Sequence, residues 1–214
     1  MLIAKTVASM VQERDTVFIN AGTTTLEVIK SIKNKHIRVI TNNAAAIDHV
    51  SGGNLEFICT GGVYNEASKS FIGELSTSLI QKVYANLCIL DVNGISSSDG
   101  ITTYAYPETM INDLMVKRSK GLKIVAADGS KVGKTYCFTS SPIENIDVLV
   151  TDSSADPAEL SKIQQCGVRI IVVDQKGICL IPCIKFKNIR ISIFVFGNFI
   201  FLRVWKIEYR IGKK

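Results

Sequence analysis

The turn Gly22-Thr23-Thr24-Thr25 has the residue types of an anion-binding site. It follows an apolar segment typical of a strand and precedes a helical pattern. A glycine allows the backbone to approach a ligand closely, hydroxyl groups donate hydrogen bonds, and a helix N-terminus offers free N–H groups with a partial positive charge. These features predict a phosphate site. No Gly-Lys-Ser/Thr sequence follows, so the turn is not a P-loop, and a Thr-rich helix cap is the alternative interpretation.

Polar or glycine-rich segments also follow the next apolar segments of the chain. They are Thr41-Asn42-Asn43, Gly61-Gly62 and Asp91-Val92-Asn93-Gly94. In open α/β sheets, ligand sites gather at the carboxyl ends of strands where the chain order reverses. We therefore expect these loops to converge on one crevice. The alternative is that such loops contain Gly and Asn only because turn geometry favours these residues.

The elements that would position these loops are alternating helices and apolar strands. Helical spacing of apolar residues predicts helices at 2–11, 26–32, 44–50, 74–83, 108–119 and 157–165. Short apolar runs predict strands at 16–20, 37–40, 55–59, 87–91, 123–127, 147–151 and 168–174. Strands this apolar, separated by helices, indicate an α/β fold with a mostly parallel sheet and helices on both faces.

Composition and charge exclude several classes of protein. Of the 214 residues, 47% are hydrophobic and 21% are charged, which is typical of a folded globular chain rather than a disordered one. The net charge of +6 is uneven, because residues 1–175 carry 16 Lys and Arg against 18 Asp and Glu. The first 175 residues therefore lack the basic surface that binding to a phosphate backbone needs.

The six cysteines predict a reducing compartment. Cys59 and Cys88 lie inside apolar runs, where a thiol acts as a small buried hydrophobe, so we expect reduced core cysteines rather than disulfides. With only two histidines, no metal site and no cofactor are expected. The N-terminus lacks the pattern of a signal peptide, which predicts a cytoplasmic protein.

Residues 175–214 differ in composition from the rest of the chain. Residues 176–214 carry nine Lys and Arg and one acidic residue, Glu208. The uncharged run 191–202 is too short to span a bilayer, although Gly197-Asn198 could form a hairpin turn. We interpret residues 175–214 as an extension unrelated to a domain at 1–174, such as read-through after a frameshift. A basic segment that lies on a membrane surface is the alternative.

Six linked motifs, in this order and spacing over roughly residues 1–174, resemble the C-terminal sensor domain of DeoR-family transcriptional repressors. They are 15–25 (DTVFINAGTTT), 39–43 (VITNN), 60–62 (TGG), 71–73 (FIG), 93–95 with 100–103 (NGI, GITT) and 127–131 (ADGSK). The resemblance implies the fold shared with ribose-5-phosphate isomerase, glucosamine-6-phosphate deaminase and coenzyme A transferases. It also implies a phosphorylated sugar or a related catabolite as effector, and a homo-oligomer.

The resemblance assigns roles to particular residues. It places the effector's phosphate on Gly22, Thr23, Thr24 and Thr25, and the sugar hydroxyls opposite Asp91 and Asn93. It implies that Lys117 and Lys131 add positive charge. The alternative interpretations are that both lysines are solvated surface charges and that Asp91 is an acid held by N–H groups of its loop. The residues that it implies shape the crevice are Asn42, Gly61, Gly62 and Gly73.

The chain departs from the family pattern at its start, because full-length members carry an N-terminal helix-turn-helix. Here Met1 begins directly in the sensor-like region, so we expect this chain to lack the element that binds an operator. We also expect no membrane association.

An isomerase or deaminase on the same fold is the alternative function, and it needs positioned carboxylates. The isomerases use a loop of the type Asp-Gly-Ala-Asp, where this chain reads Asn93-Gly94-Ile95-Ser96. We therefore expect binding of a phosphosugar without turnover.

Overall fold

The computed structural model describes residues 2–174 in full and, of residues 175–214, the backbone of three strands. The helices are α1 (Leu2–Ser9), α2 (Thr23–Ile32), α3 (Glu74–Gln81), α4 (Tyr106–Arg118) and α5 (Pro157–Gln165). The strands are β1 (Thr16–Ile19), β2 (Arg38–Thr41), β3 (Glu56–Cys59), β4 (Val63–Asn65), β5 (Ser70–Ile72), β6 (Leu87–Leu90), β7 (Gly94–Ser96), β8 (Gly100–Thr103), β9 (Lys123–Ala126), β10 (Phe138–Ser141), β11 (Val148–Asp152), β12 (Arg169–Val173), β13 (Cys179–Phe186), β14 (Ile189–Phe196) and β15 (Phe199–Lys206).

Seven parallel strands form the centre of the molecule, in the order β12-β11-β9-β6-β1-β2-β3. Phe18 of β1 pairs with Ile40 of β2 on one side and with Cys88 of β6 on the other. From β1 the chain runs to β2 and β3 in one direction, and later from β6 to β12 in the other. The order therefore reverses between β1 and β6, which makes this junction the place where a ligand site is expected.

Apolar side chains alternate between the two faces of the sheet, so each face has its own core. Val17 and Ile19 pack on the face covered by α1 and α2, and Phe18 packs on the face covered by α3, α4 and α5. All three side chains are fully buried. The prediction of a mostly parallel sheet with helices on both faces is confirmed.

The structure corrects two local predictions. The segment 44–50 is not an α-helix but a 3-10 helix, Ala44–His49; the Asn43 side chain does not cap it and instead donates to the Gly22 carbonyl. The helix predicted at 26–32 begins earlier, at Thr23, so the three threonines form its first turn. The short strands β4, β5, β7, β8 and β10 were not predicted, because three or four residues are too few for a clear apolar pattern.

The cysteine prediction is confirmed in part. The four described cysteines are free, and Cys88 is fully buried. Cys137 and Cys166 are exposed, so their interpretation as core residues is wrong. Cys179 and Cys183 have side chains outside the described part of the chain. None of the helices that the structure describes is long and apolar enough to cross a membrane.

Three antiparallel strands continue the sheet beyond β12. Val172 and Val173 of β12 pair with Leu180 and Cys179 of β13, and β14 and β15 follow in order. The predicted turn at Gly197-Asn198 lies outside the described residues, between the paired residues Phe196 and Phe199.

We propose that residues 175–214 are dispensable for the fold of the domain at 1–174. Side chains of residues 2–173 build a core on each face of the sheet, so the domain at 1–174 has cores of its own, which supports this division. A chain that ends at Gln175 is expected to unfold cooperatively within about 4 °C of the full chain, because a loss of about 1 kcal/mol shifts the midpoint of a domain this large by only about 2–4 °C. Thermal unfolding by circular dichroism measures this shift, and loss of the cooperative transition would make the segment an integral part of the domain.

Candidate functional site

A cleft of about 400 Å³ lies at the carboxyl ends of β1, β2, β6 and β9, where the strand order reverses. Its volume is within the range of small-molecule sites. It is lined by Ala21, Gly22, Thr23, Leu26, Asn43, Ala45, Ala67, Ser68, Lys69, Asp91, Val92, Asn93, Thr103, Tyr104, Glu108, Asn112 and Lys131. The lining contains amides, hydroxyls, two carboxylates and two lysines, so the cleft suits a polar ligand.

Asn20 joins the two central strands beneath the cleft. Its Nδ2 donates to the Asp91 carbonyl at 2.8 Å and to Asn112 Oδ1 at 2.9 Å, and its Oδ1 accepts from the Asp91 N–H at 2.8 Å. Asn20 is 4% exposed. One buried side chain therefore fixes the backbone of Asp91 relative to the end of β1.

The carboxylate of Asp91 lies at the N-terminus of α2. Its Oδ2 accepts from the Thr24 N–H at 3.1 Å, and its Oδ1 lies 2.5 Å from Lys131 Nζ. A negative charge is stabilised at this end of a helix, and Lys131 stabilises it further. Asp91 thus caps α2, because Gly22 stands at the N-cap position and provides no side-chain hydrogen bond.

Gly22 is required by close packing rather than by its backbone angles. Its φ of 167° is extended backbone that any residue adopts. A Cβ at this position would lie well inside van der Waals contact with Cβ and Oδ2 of Asp91. The absence of a side chain at Gly22 therefore brings the Asp91 carboxylate against the start of α2.

Glu108 forms a second acidic position, in the first turn of α4. Its Oε2 accepts from Thr103 Oγ1 at 3.1 Å, and the hydroxyl of Ser68, on the loop between β4 and β5, lies near its carboxylate. Partial burial, and to a lesser degree the charge of Asp91, raise the pKa of Glu108, while the two hydroxyl groups oppose this shift. Glu108 thus links α4 to the loop that covers the cleft.

That loop, residues 66–69, carries the exposed Lys69. Lys69 has a positive φ of 48°, and its carbonyl accepts from the Ala44 N–H at 2.9 Å. Its ammonium group forms no ion pair with any described residue. Lys69 therefore brings to the cleft a positive charge that no described carboxylate neutralises.

Five of the predicted site residues line the cleft: Gly22, Thr23, Asp91, Asn93 and Lys131. Thr24 contributes its main-chain N–H to Asp91, and its side chain is not part of the lining. Thr25 is fully buried, and its Oγ1 donates within the turn, to the Asn20 carbonyl at 2.8 Å. The expectation that all three hydroxyls face a ligand therefore holds geometrically only for Thr23.

The other predicted residues lie outside the cleft. Asn42 is buried beneath it, accepting from the Ala21 N–H at 2.8 Å and donating to the Phe71 carbonyl at 3.1 Å. Gly61 and Gly62 precede β4 and Gly73 follows β5, and all three have positive φ. Lys117 is exposed and pairs with Asp113 at 2.8 Å on the surface of α4, so it adds no charge to the crevice.

Sequence reasoning missed Asn20, Lys69 and the role of Glu108. Asn20 ends a predicted strand and Glu108 follows Pro107, so both have ordinary structural explanations in the sequence. The signal for Lys69 is equally weak, because β4 and β5 were not predicted.

Burial raises the pKa of the Cys88 thiol to about 12, which agrees with its interpretation as a core residue. Among the described residues, no group of three or more His, Cys, Asp or Glu could hold a metal ion.

Comparison with known proteins finds a family model that matches most of the chain. Residues 1–153 match the family model described as the DeoR C terminal sensor domain. The chain is 29% identical over 174 residues to the HTH-type transcriptional regulator GolR of Listeria innocua, covering 80% of this chain and 68% of GolR. It is 33% identical over 154 residues to the transcriptional repressor AccR of Agrobacterium fabrum, covering 71% of this chain and 59% of AccR. The chain spans about two thirds of the length of the curated relatives it matches.

Solved structures with a similar arrangement have low sequence identity. Ribose 5-phosphate isomerase A from Methanocaldococcus jannaschii is 10% identical with a TM-score of 0.43, over 60% of this chain and 51% of that chain. The eIF2B beta protein of Chaetomium thermophilum is 12% identical with a TM-score of 0.46, over 69% of this chain and 46% of that chain.

Proposed function

Because this chain belongs to the DeoR C-terminal sensor domain family, whose curated relatives are transcriptional regulators rather than enzymes, we propose that its cleft binds a phosphorylated sugar without converting it. We further propose that binding changes how the regulator that contains this domain acts on DNA, and that the domain works in a homo-oligomer.

The proposal rests on one observation: five of the predicted residues line one cleft at the place where the strand order of the sheet reverses. They are Gly22, Thr23, Asp91, Asn93 and Lys131. The phosphate is assigned to the exposed hydroxyl of Thr23 and the ammonium group of Lys69. Both residues are exposed and line the cleft, and Lys69 forms no ion pair with any described residue. The sugar hydroxyls are assigned to the amides and carboxylates of the remaining wall.

Calorimetric titration with ribose 5-phosphate, glucosamine 6-phosphate, fructose 6-phosphate and inorganic phosphate tests the proposal. At least one phosphosugar is expected to bind more tightly than inorganic phosphate, because the cleft contains polar groups beyond those assigned to the phosphate. If none of these compounds binds and none raises the unfolding temperature, the proposed function is wrong.

The variant Thr23→Val is expected to weaken binding of the best phosphosugar by roughly 10- to 150-fold, because one hydrogen bond to a charged group contributes about 1.5–3 kcal/mol. Titration of wild type and variant measures the ratio of dissociation constants. Thr24→Val is the matched control. It makes the same change at the next residue, outside the cleft lining, and it retains the main-chain N–H that donates to Asp91 Oδ2. Equal affinity in wild type and Thr23→Val would show that the phosphate does not bind at this turn.

A further inference from the structure

The charges around the cleft are unequally compensated. Lys131 Nζ lies 2.5 Å from Asp91 Oδ1 and 3.8 Å from Asp128 Oδ2, so two carboxylates neutralise it. Glu108 forms no ion pair with any described residue, and neither does Lys69. Among the described residues, the cleft therefore offers one uncompensated cation, enough for one phosphate group, and one uncompensated carboxylate.

The hydrogen bonds of Glu108 leave part of its acceptor capacity unused. Thr103 Oγ1 lies 2.7 Å from Asn93 Oδ1 and 3.1 Å from Glu108 Oε2, but a hydroxyl has one hydrogen and can serve only one of these two acceptors at a time. The Ser68 hydroxyl near this carboxylate forms its hydrogen bond of 2.7 Å with Ser70 Oγ. A carboxylate accepts up to about four hydrogen bonds, so Glu108, which lines the cleft, has acceptor positions left for donors of a ligand.

A ligand supplies those donors through hydroxyl or amino groups, which a phosphosugar carries at its unphosphorylated end. Hydroxyl groups would donate to the free lone pairs of Glu108 and complete its coordination. A second phosphate or a carboxylate at the same place brings no donor, and it meets the charges of Glu108 and Asp91 in a partly desolvated cleft.

We propose that Glu108 is a specificity-determining residue, which accepts hydrogen bonds from hydroxyl groups at the unphosphorylated end of the effector and excludes ligands that carry a second anionic group. This inference rests on the proposed function and narrows its ligand class to polyhydroxyl monophosphates.

Matched pairs of ligands test the inference. Fructose 6-phosphate is compared with fructose 1,6-bisphosphate, and glucose 6-phosphate with glucose 1,6-bisphosphate, by calorimetric titration of wild type and Glu108→Gln. In wild type the monophosphate is expected to bind at least about tenfold more tightly than its bisphosphate. In Glu108→Gln this ratio is expected to fall towards one, while the affinity for inorganic phosphate stays the same.

Two further variants separate the charge from general damage to the site. Glu74→Gln removes the same charge from the first turn of α3, outside the cleft, and is expected to leave the ratio as in wild type. Glu108→Asp keeps the charge and shortens the side chain, so it is expected to keep the discrimination while binding the monophosphate more weakly. Glu108→Asp also supplies the test if the Gln variant does not fold.

The inference is overturned if the bisphosphate binds wild type as tightly as the monophosphate, or if the ratio is equal in wild type and Glu108→Gln. In both cases the proposed function stands, because a phosphosugar still binds. If neither phosphosugars nor inorganic phosphate bind, the proposed function and this inference fall together. If only one sugar pair binds, that pair decides the outcome.

Discussion

Replacing Asn20 with Ala is expected to lower the free energy of unfolding by about 3 kcal/mol. The change removes three hydrogen bonds of 2.8 to 2.9 Å and leaves the buried N–H and carbonyl of Asp91 without their partner. An unsatisfied buried polar group costs about 1–3 kcal/mol. For a domain of this size the unfolding midpoint should fall by roughly 6–12 °C, which thermal unfolding by circular dichroism measures. Affinity for the phosphosugar should fall as well, because Asp91 loses the side chain that fixes its backbone.

Asn54→Ala is the control for this effect. The Asn54 side chain donates one exposed hydrogen bond of 3.1 Å, to the Asn34 carbonyl, away from the cleft. Its loss is expected to change stability by no more than about 0.5 kcal/mol. If Asn20→Ala and Asn54→Ala unfold at the same temperature, the Asn20 network does not join the two central strands as the geometry indicates.

The central sheet could be predicted from the sequence because its strands are buried on both faces. Segments such as 16–20 and 87–91 are nearly continuous apolar runs, and the structure places strands at Thr16–Ile19 and Leu87–Leu90. The polar residues that follow them mark the carboxyl ends of the strands. Since these ends meet at one edge of a parallel sheet, the place of the cleft could also be predicted.

The partners within the cleft could not be predicted, because they come from distant parts of the chain. Asp91 caps a helix whose first turn lies 67 residues earlier, and Lys131 reaches it from 40 residues later. No residue near Gly22 in the sequence shows that the anion at the N-terminus of α2 is a carboxylate of the protein itself. The same holds for Glu108 and Ser68, which face each other only because the unpredicted strands β4 and β5 carry their loop across the cleft.

The largest expected effect on the site itself comes from Gly22→Ala. A single methyl group at this position collides with Cβ and Oδ2 of Asp91, so either the Asp91 side chain or the first turn of α2 has to move. Overpacking of this kind typically costs about 1–3 kcal/mol, and the Thr24 N–H then loses its acceptor. Phosphosugar affinity is expected to fall by about 10- to 100-fold, as each loss of about 1.4 kcal/mol weakens binding tenfold. Calorimetric titration and thermal unfolding of the same sample measure both effects.

A double-mutant cycle with Asp91→Gly identifies the collision as the cause. Glycine at 91 removes the three Asp91 atoms that a Cβ at position 22 would meet, Cβ, Cγ and Oδ2, so Gly22→Ala should cost less stability in that background than in the wild type. Residues in contact typically give interaction energies of about 0.5–3 kcal/mol in such cycles. Simple additivity of the two changes would mean that the start of α2 accepts a side chain without displacing Asp91. In that event Gly22→Ala would cost the same stability with and without the Asp91 side chain, and the cause of that cost would lie in contacts other than Asp91.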